Sequence, residues 1–262
     1  MSDALDPAKM GTADKAALER LILTLADSKR LMGIRYSDWL LGAPSIETGI
    51  AASSMAQDEW GHARLLYSML KDMGIDPGPV EHDRQAEEYA SIGSLDEEMP
   101  DWAALVAAIV LVDGAISVVL SSFATGSFES ARGRVPKMLS EEEFHSSLGA
   151  AWYRRLAAAG GEAKELLTAA TKSILPPTLA WVGAADDSTG RMVAAGVIAP
   201  AEDRLATFRG AAREFTALVG IDIDAVDATP EWDGARGRTP GHPNEEAVQR
   251  ARGDLNRALF VE

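Results

Sequence analysis

Gln57-Asp58-Glu59-Trp60-Gly61-His62-Ala63-Arg64 and Glu141-Glu142-Glu143-Phe144-His145 are the stretches whose reading decides the fold. Each holds a glutamate and a histidine three residues apart, a spacing that puts both side chains on one face of a helix. Two such Glu-x-x-His segments on two helices, joined by one carboxylate from each of two others, make the donor set of a dinuclear carboxylate-bridged centre in a helical bundle. That reading requires long helices around both segments and acidic residues at matching places on two more.

The flanking sequence supplies the helices. Leu18, Leu21, Ile22, Leu25, Met32 and Tyr36 form one apolar stripe, so a first helix is expected from near a Thr12 or Asp14 cap to Leu41. Gly42 and Pro44 end it, and Ser45 can cap a second helix that runs to about Met73, with Gly74 as its stop. The acidic stretch 80–100 is expected to be a surface connection. Asp101 then caps a strongly apolar third helix ending near Gly126. A short helix is expected over Phe128 to Gly133, with a fourth long helix starting after Pro136 and ending at Gly160-Gly161. Two more helical stretches follow, one kinked at Pro176-Pro177 and one from Ala201 to Val219, and a polar closing helix is expected around Asn244 to Leu259. The fold class is therefore all-α, a ferritin-like four-helix bundle with additional C-terminal helices: a bundle domain over 1–220 and a tail over 221–262.

The third helix carries the next donor. Asp113 lies in Ile109-Val110-Leu111-Val112-Asp113-Gly114, where a buried carboxylate is costly unless paired or metal-bound. Gly114 beside it is expected to let a neighbouring helix approach closely. The first helix breaks the pattern, because counting back 30 residues from Glu59 reaches Lys29 where a carboxylate is expected. Asp27, two positions away, faces elsewhere. The expected metal ligands are Glu59, His62, Asp113, Glu142 and His145. Lys29 and Trp60 are the expected non-ligand residues of the catalytic site: the ammonium aimed at the same centre, the indole lining it. The competing reading of both Glu-x-x-His segments is a salt-bridged core with no metal.

Composition narrows the chemistry. The 262 residues are 47% hydrophobic and only 6% aromatic, enough to bury a helical core. Cysteine is absent, which removes disulfides, thiolate-bound zinc and iron–sulfur clusters and leaves oxygen and imidazole donors suited to iron, one or two ions, or manganese. A formal charge of −15 argues against nucleic-acid binding. The N-terminal residues hold no apolar leader and the apolar run from Trp102 to Val112 is short for a membrane span, so a soluble cytoplasmic protein is expected. His82 reads as a loop residue and His242 as part of the tail.

With these residues assigned, a resemblance can be stated. Ser37-Asp38-Trp39, Ala43-Pro44-Ser45, the segment from Gln57 to Tyr67, Leu111-Val112-Asp113-Gly114-Ala115 and Glu141-Glu142-Glu143-Phe144-His145 are similar, in order and spacing, to the ring-epoxidising phenylacetyl-CoA oxygenase family. The resemblance implies a multicomponent system: a catalytic ferritin-like subunit with a di-iron centre, a related structural subunit that has lost ligands, a small accessory protein and a reductase that supplies electrons. It further implies oxygen as co-substrate, a CoA-thioester aromatic acid as substrate, and an oligomer. Asp-Glu-x-Gly-His and Leu-Val-Asp-Gly resemble the catalytic subunit, whereas Gly237-Arg238-Thr239-Pro240-Gly241-His242 and the overall length resemble the structural one. Lys29 stands where the catalytic subunit has a ligand carboxylate. Arg132, Arg134 and Lys137 are the nearest basic cluster for a CoA polyanion. Three readings remain open: oxygenase subunit, non-catalytic subunit that docks a catalytic relative, and ferritin-like metal protein with other oxidative chemistry.

Overall fold

A computed structural model describes residues 5–254. Its helices are α1 (Thr12–Asp38), α2 (Ile46–Ser68), α3 (Pro77–His82), α4 (Trp102–Ala108), α5 (Gly114–Thr125), α6 (Glu129–Ala159), α7 (Gly161–Val182), α8 (Asp187–Ala194), α9 (Ala201–Leu218) and α10 (Glu245–Arg252). The described residues contain no β-strand, and the fold is the expected all-α, ferritin-like bundle. α1, α2, α4–α5 and α6 are its four core members; α7 and α9 pack on α4–α5 and α6, and α8 on α1.

Local chemistry sets the ends. Ser45 accepts the Thr48 N–H at 3.2 Å and opens α2, Asp101 accepts the Ala104 N–H at 2.8 Å and opens α4, and Gly74 stops the chain after α2 at φ +79°. α1 starts without a side-chain cap, on Gly11, and ends at Asp38 rather than Leu41. The last turn expected of α2, Met69–Met73, tightens into a 3-10 turn.

One expectation at a proline was wrong in detail. α6 is continuous from Glu129 through Pro136, so the short helix and the long one are a single element. A proline interrupts one backbone bond, and the buried Ala131, Val135 and Met138 keep the helix on the core face through it. α7 covers the expected stretch with Pro176 and Pro177 inside it, and the Pro176 carbonyl takes the Thr229 N–H at 3.1 Å. α10 ends at Gly253, φ +74°; the expected continuation past 254 lies outside the described residues. The short α8 was not anticipated.

The third core member departs most from a regular helix. α4 and α5 are joined by a π-helical turn over Ile109–Asp113, so Trp102–Thr125 is one continuous element of 24 residues with a wide turn at its centre. It carries Asp113 within it and ends at Thr125, beside the expected end near Gly126. By length and composition alone it could cross a membrane, yet 78% of its most apolar window is buried in the bundle.

From Ile221 the chain returns over the connection between α2 and α4. The fully buried Arg238 pairs with Asp96 and bonds Ser91 Oγ at 3.2 Å. α10 then lies on α1, with Arg250 on Asp38 at 2.6 Å and Arg30 on the Ala251 carbonyl. Asp27, excluded from the centre by its helical phase, sits in this second layer: Arg84 Nη1 at 2.9 Å and the Ala90 N–H at 2.8 Å both donate to it.

Candidate functional site

The four core helices together send six side chains to a single buried point. α1 contributes Lys29, α2 Glu59 and His62, the π turn Asp113, and α6 Glu142 and His145; none is more than 5% exposed. Lys29 Nζ sits in the middle. It donates to Glu59 Oε1 at 3.0 Å, Asp113 Oδ1 at 2.6 Å and Glu142 Oε1 at 2.6 Å, so its three N–H bonds meet three carboxylates. The ligand atoms of Glu59, Asp113, Glu142 and His145 lie within 4.8 Å of one another, close enough to hold a metal ion.

The histidines are fixed crosswise. His62 Nε2 bonds Glu141 Oε2 at 2.8 Å, and His145 Nε2 contacts Asp58 Oδ2 at 3.4 Å. Each imidazole thus leans on the acid that precedes the other helix's inward glutamate. Both rings thereby turn Nδ1 inward, His62 Nδ1 to 3.1 Å from Glu142 Oε1 and His145 Nδ1 to 3.3–3.4 Å from Glu59, Asp113 and Glu142. Tyr36 donates to Asp113 Oδ2 at 2.8 Å and sets its ring edge against His145.

Charge is balanced inside this cluster. Burial works against the Lys29 ammonium, but Asp113, Glu142 and Glu59 outweigh it and hold its pKa well above the usual lysine value. Burial likewise opposes a charged His145, and Asp113, Glu142 and Glu59 still push it up to about 12. Glu142 goes the other way: burial raises it, yet Lys29 and the two histidines hold it well below the ordinary carboxylate range. Glu59 is pushed up to about 8 by burial and by Asp113 and Glu142, against the pull of Lys29. Lys29 and His145 thus bring two positive charges to three carboxyl groups, and Glu59, the raised one, stays largely protonated at neutral pH, which reduces the excess negative charge of the buried set.

The donor chemistry fits a metal in part. His62 Nδ1, His145 Nδ1 and Glu59 Oε2 are buried without a well-aligned hydrogen bond, although both nitrogens lie 3.1–3.4 Å from carboxylate oxygens, and imidazoles braced on carboxylates through their outer nitrogen are typical of metal ligands. The Lys29 ammonium, however, fills the space between the carboxylates and satisfies them. A complete dinuclear centre does not fit this arrangement, and a single ion fits only where the ammonium is displaced.

Of the expected residues, Lys29, Glu59, His62, Asp113, Glu142 and His145 come together and Trp60 does not. One residue on from Glu59 is a rotation of about 100°, which turns the indole onto the α1–α2 seam. There it covers Gly33, where a Cβ would come within 2.5 Å of its ring. Gly114 also behaves differently from expectation, since a Cβ there would meet nothing within 4 Å. The close approach falls instead at Gly149 of α6, where a Cβ would sit 2.4 Å from Ile109. Lys137 pairs with Glu141 at 3.5 Å and Arg134 bonds Ser130, so two of the three basic residues are engaged along their own helix. His82 ends α3, and His242 Nδ1 lies against the Pro243 carbonyl in the tail.

Sequence reasoning missed three members of the site. Asp58 and Glu141 were signalled by position, one before each inward glutamate, and Tyr36 by its spacing of seven from Lys29 on one face.

No characterised protein in the curated set matches the chain. A family model does: residues 1–252 match phenylacetic acid catabolic protein. With nearly the whole length matched, the chain belongs to the phenylacetic acid catabolic protein family.

Proposed function

We propose that this chain is a subunit of a multicomponent oxygenase acting on the CoA thioester of phenylacetic acid, and that it is the non-catalytic bundle subunit that docks the metal-bearing relative. The observation that carries the reading is Lys29 Nζ, 2.6–3.0 Å from three carboxylates at the convergence point of the bundle. An ammonium there supplies the positive charge that a metal would otherwise supply, and the buried carboxylates remain paired without one. The same lysine removes the carboxylate that a second ion would need from α1. In this role Glu59, Asp113, Glu142, His62 and His145 hold four helices in register, and the acidic outer surface serves assembly with the catalytic subunit, a small accessory protein and a reductase.

One observation favours a second reading, in which the chain itself binds iron or manganese and activates oxygen. The inward Nδ1 atoms of His62 and His145, once deprotonated, and Glu59 Oε2, which makes no hydrogen bond, are donors of the right kind. Bound iron would supply oxygen activation; the residues that would hold it are Glu59, His62, Asp113, Glu142 and His145, with Lys29 swung aside.

Co-expression with a metal-bearing relative distinguishes the two. The first reading expects a stable complex whose ring-oxygenating activity on phenylacetyl-CoA survives Glu59→Gln in this chain. Iron in this chain together with activity abolished by Glu59→Gln, the complex intact, would contradict it.

A further inference from the structure

The outer side of the π turn is open. A groove of about 480 Å3 lies between Ile109–Gly114, α6 and α9, within the size range of small-ligand sites. Its walls are mainly apolar, with Val110, Ala150 and Phe215 among them.

Gly114 forms part of the floor, and nothing inside the molecule accounts for a glycine there. Its backbone is ordinary right-handed helix, φ −58° and ψ −40°, so no conformational demand calls for it. A Cβ would meet nothing within 4 Å, so no neighbouring helix needs the space. Glycine within a helix is nevertheless destabilising relative to alanine. What the missing side chain leaves is depth in the groove.

The rim carries the one cation of the lining, Arg154. Its guanidinium lies over the Phe215 ring, 5.1 Å from the centroid, and donates to Glu214 Oε1 at 3.0 and 2.8 Å. Both partners are about half exposed, 51% and 62%, and an exposed pair of this kind is weakly held. A ligand carboxylate can take Glu214's place on the guanidinium with two hydrogen bonds of its own.

We propose that this groove binds a small amphipathic organic acid, its aryl or short acyl body over Gly114 and Phe215 and its carboxylate on Arg154. The site is separate from the Lys29 cluster and stands whether the chain is the catalytic or the non-catalytic subunit.

Calorimetric titration of the full chain with phenylacetate, benzoate and octanoate tests this. At least one acid is expected to bind saturably. Gly114→Leu, which fills the floor, should abolish that binding, and Arg154→Met should weaken it about tenfold or more, the usual loss for a charge-assisted hydrogen bond. Glu214→Gln removes the competitor and should tighten it. Circular dichroism of each variant shows that the bundle is retained, and a variant that fails to fold is replaced by Gly114→Val or Arg154→Gln. Binding of none of the three acids overturns the proposal, as does binding that survives both the Gly114 and the Arg154 substitution.

Discussion

At the scale of single residues the account rests on Lys29. Its ammonium is wholly buried with three carboxylate partners, so truncating it leaves uncompensated charge in the core. Lys29→Met should cost about 3–5 kcal/mol of stability, measurable by denaturant unfolding; a change under about 1 kcal/mol would mean the carboxylates do not depend on it. Lys29→Glu should behave differently, unstable in chelator and raised in melting temperature by added ferrous or manganous ion, because a fourth carboxylate creates a demand for a cation. His145 gives a third expectation. Its pKa is raised to about 12 against the ordinary 6.5. A raised value means that its contribution to stability is fully present below about 6.5 and is lost as the pH rises toward 12. Its imidazole NMR signals should therefore stay those of the charged ring from about pH 6 to about pH 9, whereas a midpoint near 6.5 would place it outside the carboxylate field. Most of these residues were legible in the sequence, because helical spacing alone aligns Glu59 with His62 and Glu142 with His145. The cross-bracing by Asp58 and Glu141 was not, since a helix repeat says which residues share a face but not which neighbouring helix supplies the partner.

At the scale of elements the informative feature is the wide turn at Ile109–Asp113. It delivers Asp113 to Lys29 and Tyr36 on its inner side, at 2.6 and 2.8 Å, and floors a groove on its outer side. No sequence signal marks a π turn, because it differs from an α turn only in which carbonyl each N–H chooses. The same limit explains Gly114 and Gly149: the sequence offers glycines, and only packing shows which one a neighbour presses against. Gly149→Ala would push a methyl group into the stiff, β-branched Ile109 and should destabilise the chain by about 1–3 kcal/mol. Gly114→Ala, on the open side, should be neutral or slightly stabilising; paired thermal melts check both. Equal effects would mean that Gly149 of α6 does not press on Ile109 of the π turn. Pro136 teaches the converse lesson, since a strong local breaker was outweighed by an apolar face continuous on both sides of it.

At the scale of the molecule, the bundle is closed by a tail that carries little hydrophobic pattern and was legible only as a polar extension. Beside the buried Ile223, Ala247, Val248 and Ala251, its attachment uses long-range polar contacts: Arg238 to Asp96, Arg250 to Asp38, Arg30 to the Ala251 carbonyl. Pairings between residues more than a hundred positions apart leave no local periodicity to read. Arg238→Met should cost about 3 kcal/mol and make the segment after Gly220 the first to be cleaved in limited proteolysis; unchanged cleavage would mean the tail is held by other contacts. The four-helix core, by contrast, was visible from apolar stripes and caps, and membership of the phenylacetic acid catabolic protein family agrees with it along residues 1–252.

The central claim, that an ammonium stands where the bundle would otherwise need a metal, is tested most directly by the metal content of the intact chain purified from cells supplied with iron and manganese. The expected result is no stoichiometric metal in the native protein and a melting temperature unchanged by chelator. About two iron or manganese ions per chain, lost in a Glu59→Ala, Glu142→Ala double variant, would contradict it and make this chain an oxygen-activating subunit.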